Sequence, residues 1–256
     1  MRLAATLALG LVTGVLSGMF GVGGAVISTP GIRALGVTPF EAVGTTIPAI
    51  FPSALSGSLR YYREGLLDLR VIAWVAVSGT AAAVGTALLS HAVPGDGHWL
   101  MVATAAIVFW TATRVLRAPD QADADSVDDT RRRDTPVRLA VLGLGAGTIS
   151  GLLGLGGGVV LVPAFLEWLR LPIKRAVASS LACVGLLAIP SGVTHAALGD
   201  IDWEFAIPLA VTVIPGARIG AALAIRSSDR GLRLVVGAGL AVIAVVYAIR
   251  EVTLAV

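Results

Sequence analysis

One glycine-rich phrase occurs twice in this chain, each time inside an apolar run. The first copy holds Gly14, Ser17, Gly18, Gly21, Gly23 and Gly24, followed by Pro30. The second holds Gly147, Ser150, Gly151, Gly154, Gly156 and Gly157, followed by Pro163, and every pair stands 133 residues apart. Glycine weakens a helix because its backbone loses the most freedom on ordering and brings no side chain to pack. Two such clusters inside apolar spans predict two broken helices meeting at a shared site, as in many secondary transporters.

Composition sets the solvent. The chain has 256 residues, 56% of them hydrophobic and only 14% charged, with a mean hydropathy of +0.87. Those values exclude an ordinary soluble globular domain. Apolar blocks recur at 3–20, 22–36, 42–59, 69–90, 98–116, 137–154, 156–169, 175–197, 203–225 and 231–249. The reading is an all-α polytopic membrane protein with about 8 to 10 membrane helices, two of them short. The net charge of +3 does not point to nucleic acid, because the cations stand between the apolar blocks, where topology explains them. The start from Met1 to Leu9 resembles a signal peptide, but residues 14–30 match an internal segment, which argues against cleavage. Cys183 is the single cysteine, so no intrachain disulfide is possible, and in its apolar run it reads as a small buried residue.

The duplication extends beyond the glycines. Pro39 pairs with Pro172, Thr45 and Thr46 with Ser179 and Ser180, and Tyr61, Gly65 and Asp68 with His195, Gly199 and Asp202. Two homologous repeats follow, over 1–116 and 137–256, joined by a polar, solvated linker at 117–136. Charge orients them. If each glycine-broken pair enters and leaves on one side, with the N-terminus outside, 15 of the 19 Lys and Arg fall inside and only Arg2, Arg33 and Arg250 outside. A plain eight-span arrangement gives 11 inside and 7 outside. The positive-inside bias favours the first, which makes the repeats inverted and the linker cytoplasmic.

Several groups are candidates for binding. Gly14, Gly18, Gly143, Gly147 and Gly151 form small-xxx-small faces suited to helix contact. The denser cluster of Gly21, Gly23, Gly24, Gly154, Gly156, Gly157 and Gly158 would expose free N–H groups and the positive end of a restarting helix to an anion. Neither copy fits a nucleotide fingerprint or a P-loop. Thr45, Thr46, Ser179 and Ser180 add hydroxyls for a polar cavity, although such hydroxyls also bond back to their own helix. Arg218, the one cation well inside a span, either faces the substrate or snorkels to the inner surface about 12 Å away. His195 is a possible proton-coupling group or a satisfied interfacial residue. Trp74, Trp99, Trp110, Trp168 and Trp203 sit near block ends as interfacial anchors.

With these residues named, the chain resembles the TauE/SafE sulfite exporter family, also called the toluene-sulfonate uptake permease family. The resemblance rests on Gly18, Gly21, Gly23 and Gly24 with Pro30, on Gly151, Gly154 and Gly156 to Gly158 with Pro163, and on His195, Gly199, Ile201, Asp202 and Trp203. It implies a multi-pass carrier of the bacterial cytoplasmic membrane that handles sulfite, sulfonates such as sulfoacetate, or related small anions, commonly as an exporter. Ala25 departs from the pattern, since the second copy has Gly158 there. The expected partners are a small anion and the lipid bilayer, with no cofactor, metal or nucleic acid. Import, or carriage of another small anion, is the alternative. An intramembrane enzyme is disfavoured, because Cys183 and His195 lie twelve residues, about 18 Å, apart along one helix.

Overall fold

The computed structural model describes residues 2–89, 98–118, 135–154 and 156–255. Over those residues it is all-helical. The first half comprises α1 (Arg2–Phe20), α2 (Ala25–Ala34), α3 (Pro39–Arg63), α4 (Leu69–Leu89) and α5 (His98–Arg117). The second comprises α6 (Pro136–Leu153), α7 (Gly158–Glu167), α8 (Ile173–Leu198), α9 (Trp203–Arg226) and α10 (Asp229–Ala255). Six of them, α1, α4, α6, α8, α9 and α10, are long and apolar enough to cross a bilayer. Most of the expected linker, 119–134, lies outside the described residues, as does Leu155.

Each apolar block of the sequence corresponds to one helix, and the largest discrepancy is at the two short ones. The blocks at 22–36 and 156–169 shrink to helices of 10 residues each. The glycines ahead of them hold positive φ angles, at Gly21, Gly23, Gly154, Gly156 and Gly157, and so cannot join the helix that follows. A 10-residue helix is about 15 Å long, half the thickness of a hydrocarbon core of about 30 Å.

The helix pairs have an internal regularity. α1 packs on α9 as α6 packs on α4; α3 packs on α9 as α8 packs on α4; α2 lies on α3 as α7 lies on α8. α3 pairs with α8, and α5 with α10. Renaming each helix by the one five places along the chain returns the same set of pairs.

Small residues make the tightest seams. A β-carbon on Gly14 or Gly18 would strike the carbonyls of Val213 or Ala217 in α9. One on Gly147 or Gly151 would strike those of Gly79 or Ala83 in α4. The early glycines of each phrase therefore serve helix packing, where dispersion between close backbones replaces the hydrophobic drive that lipid removes. Outward, the helices expose large apolar side chains all along their length, among them Leu55, Val77, Val193, Val211 and Val242, the surface a lipid environment covers.

Candidate functional site

The two breaks meet. Gly158, the first residue of α7, lies so close to the first break that a β-carbon there would stand 2.8 Å from both the Gly21 carbonyl oxygen and Val22 Cα. Ser180 of α8 sits astride the junction. Its hydroxyl donates to the Gly21 carbonyl at 2.7 Å and reaches the Gly158 carbonyl at 3.4 Å. The start of α7 thus meets the break that precedes α2, which brings the positive dipole ends of the two half-helices into one region.

The backbone at this junction is buried and short of acceptors. Residues 21 to 26 and 156 to 158 are all buried. The N–H groups of Gly23, Gly24, Ala25 and Val26, and those of Gly157 and Gly158, find no acceptor among the described residues. A buried donor left unpaired costs about 1–3 kcal/mol, and a bilayer interior offers no water to relieve it. Two hydroxyls nearby are in the same condition: Thr13 Oγ1, beside Gly24, and Ser150 Oγ, one turn before Gly154, are buried with no hydrogen-bond partner among the described residues. This is a concentration of donors that asks for an acceptor.

The four hydroxyls anticipated from the sequence divide into two pairs. Thr46 stays at the first half-helix, with its hydroxyl 3.2 Å from that of Thr29 in α2 and 3.0 Å from the Val43 carbonyl. Ser180 holds the junction itself. Thr45 and Ser179 do something else, since each caps a helix of the opposite half. The Asp202 N–H at the start of α9 donates to Thr45 Oγ1 at 2.9 Å, and the Asp68 N–H before α4 donates to Ser179 Oγ at 3.0 Å. Sequence reading missed Thr29, and also Ser53, which donates to Ser17 at 3.1 Å. A usable signal was the Ser28-Thr29 pair in α2, whose counterparts 133 residues on are the apolar Leu161 and Val162.

His195 and Tyr61 occupy equivalent helix ends with different chemistry. Gly65 and Gly199 close α3 and α8 in the same left-handed conformation, with φ of 67° and 81°. Tyr61 donates its hydroxyl to the Gly18 carbonyl at 2.7 Å. His195, 2% exposed, places Nδ1 2.8 Å from Asp200 Oδ2, and its Nε2 is buried without a partner among the described residues. A carboxylate on one ring nitrogen fixes the orientation of the other.

Arg218 is elsewhere. It lines a cavity with Arg60 and Arg63, near the start of the α3–α4 connection, and none of the break glycines lines that cavity. Trp74, Trp110, Trp168 and Trp203 are exposed near helix ends, as anchors are; the Trp99 side chain lies outside the described residues. Cys183 is a buried free thiol.

Residues 6–247 match the family model described as Sulfite exporter TauE/SafE. This chain belongs to that family. Among TauE/SafE relatives it is 27% identical to the probable membrane transporter protein YjnA of Bacillus subtilis, across 89% of this chain and 92% of that one. It is 29% identical to a probable membrane transporter protein of Xylella fastidiosa, across 88% and 86%. It is 24% identical to the probable membrane transporter protein MJ0441 of Methanocaldococcus jannaschii, across 91% and 90%. No solved structure matches the chain. The TauE/SafE match spans both breaks and reaches into all ten helices named above.

Proposed function

We propose that this protein is a secondary carrier of the cytoplasmic membrane that exports sulfite, an organosulfonate or a related small sulfur anion, with two inverted repeats rocking about the junction of α2 and α7. The observation that carries the reading is the set of buried, unpartnered N–H groups at two converging half-helix starts. An oxyanion supplies the missing acceptors, and the paired dipole ends favour its charge. Gly23, Gly24, Gly157 and Gly158 give N–H groups to the backbone cradle, Gly21 and Gly156 turn the chain into it, the Gly21 N–H being bonded to the Ser17 carbonyl, and Thr46 and Ser180 stand beside it. Thr45 and Ser179 support it by fixing the helices around it. Arg218 acts at the inner surface rather than in the cradle. Inversion is supported by the charge bias, and the duplication by the exchange symmetry of the helix pairs. His195, aimed by Asp200, is the coupling group.

The test is flux from proteoliposomes under competition by sulfite, sulfoacetate, taurine, thiosulfate and sulfate. One of the sulfur anions is expected to compete best. Gly157→Leu should abolish flux, because φ of 72° strains any L-residue and the new side chain would strike the Ala146 carbonyl of α6 and displace the start of α7. Normal flux in that variant, or no flux of any of the five anions in the wild type, overturns the proposal.

A further inference from the structure

Beyond the transport site, we propose that Arg60, Arg63 and Arg218 form a binding site for the phosphate headgroup of an anionic phospholipid of the inner leaflet. The three side chains line one cavity of about 210 Å³ at the seam of α3 and α9, together with Ser56 and Leu59. Arg60 is balanced by Glu64 at 2.9 Å. Neither Arg63 nor Arg218 has a carboxylate partner among the described residues. The Ser56 hydroxyl is already committed to the Ile214 carbonyl at 2.9 Å, so the guanidinium groups are what the cavity has to offer. Guanidinium forks match phosphate oxygens in shape and charge, and like charges gathered this closely favour a bound anion.

The surroundings decide between a lipid and a free ion. On α3, Phe51, Leu55, Leu59 and Tyr62 are exposed along one face that leads to Arg63. On α9, Ile207, Val211 and Ile214 are exposed at helical spacing in a line that ends at Arg218. Two apolar tracks therefore converge on a cationic pocket, the form of acyl chains beneath a charged headgroup. The site is also unduplicated. The equivalents of Arg60, Arg63 and Arg218 in the other halves are Thr194, Ala197 and Val84, none of them charged. A translocation path shared by both repeats would be expected in both; a contact with one leaflet is needed only once.

The experiment is native mass spectrometry of the detergent-purified, delipidated full chain titrated with phosphatidylglycerol or phosphatidylcholine. The wild type should retain phosphatidylglycerol at least tenfold more strongly. Arg63→Gln combined with Arg218→Gln should lose about tenfold or more of that preference, since each cation near an anionic headgroup contributes on the order of 1 kcal/mol. The single Arg63→Gln variant, on an exposed helix end, serves if the double variant fails to fold, and should show an intermediate preference. Equal retention of the two lipids by the wild type overturns the inference. So does displacement of phosphatidylglycerol by millimolar inorganic phosphate or sulfite, which would make the cavity a free-anion site. The readout needs no transported substrate, so it stands or falls apart from the carrier proposal.

Discussion

A single methyl group distinguishes the two glycine phrases at the starts of their half-helices. Ala25 occupies the place in the first phrase that Gly158 holds in the second, and both are buried. The difference has a steric cause. A β-carbon at Gly158 would stand 2.5 Å from a Val184 methyl and 2.8 Å from the backbone of Gly21 and Val22. Gly158→Ala should therefore destabilise the protein by about 1–3 kcal/mol through overpacking, read as a lower unfolding temperature in detergent. Ala25→Gly should cost at most about 1 kcal/mol. Equal stability of Gly158→Ala and wild type would mean that the breaks do not touch. At His195 the expectation concerns energy coupling. His195→Gln should remove the response of flux to an imposed proton gradient while leaving exchange at zero gradient, because the ring that would carry the proton is gone. An unchanged response places coupling elsewhere.

At the scale of elements, the exchanged caps are the most exposed to test. Thr45→Val and Ser179→Ala each leave a helix-start N–H without its acceptor, for a loss of about 1–3 kcal/mol. The two losses should be similar, since the bonds are equivalent. Hydrogen exchange localises them: the Asp202 amide should exchange faster in the first variant, and the Asp68 amide in the second. These bonds also mark where sequence reading stopped. Apolar blocks located the helices because hydropathy is local, and the constant offset revealed the duplication. Glycine density found the breaks, yet the length of α2 and α7 depended on positive φ angles that a glycine permits without announcing. The partners of Thr45 and Ser179 lie 157 and 111 residues away, beyond any local pattern. Arg218 was legible as anomalous, but its neighbours Arg60 and Arg63 come from another helix, and only the packing of α3 on α9 brings them together.

Across the whole molecule, contacts sort the cations. Lys174 pairs with Asp229 at 3.5 Å, Arg114 with Glu167 at 3.3 Å, and Arg233 donates to the Ala118 carbonyl at 2.7 Å. All these residues belong to connections the charge bias assigns to the inner side. Single cysteines at Glu64 and Glu204, in a Cys183→Ala background, should then differ in intact cells. An impermeant maleimide should label position 204 and spare position 64; the reverse pattern would defeat the inverted arrangement. The exchanged caps have a further consequence in time. A chain that grows at roughly 5–20 residues per second must wait on the order of 5 to 30 s between making Thr45 or Asp68 and making the partner that completes it. Through that interval the first half sits in the membrane with the Asp68 N–H ahead of α4 still without its acceptor, although the Asp68 carboxylate already accepts from the Val71 N–H. The protein closes like a clasp whose two hooks are forged at different moments, and the second half is the one that locks it.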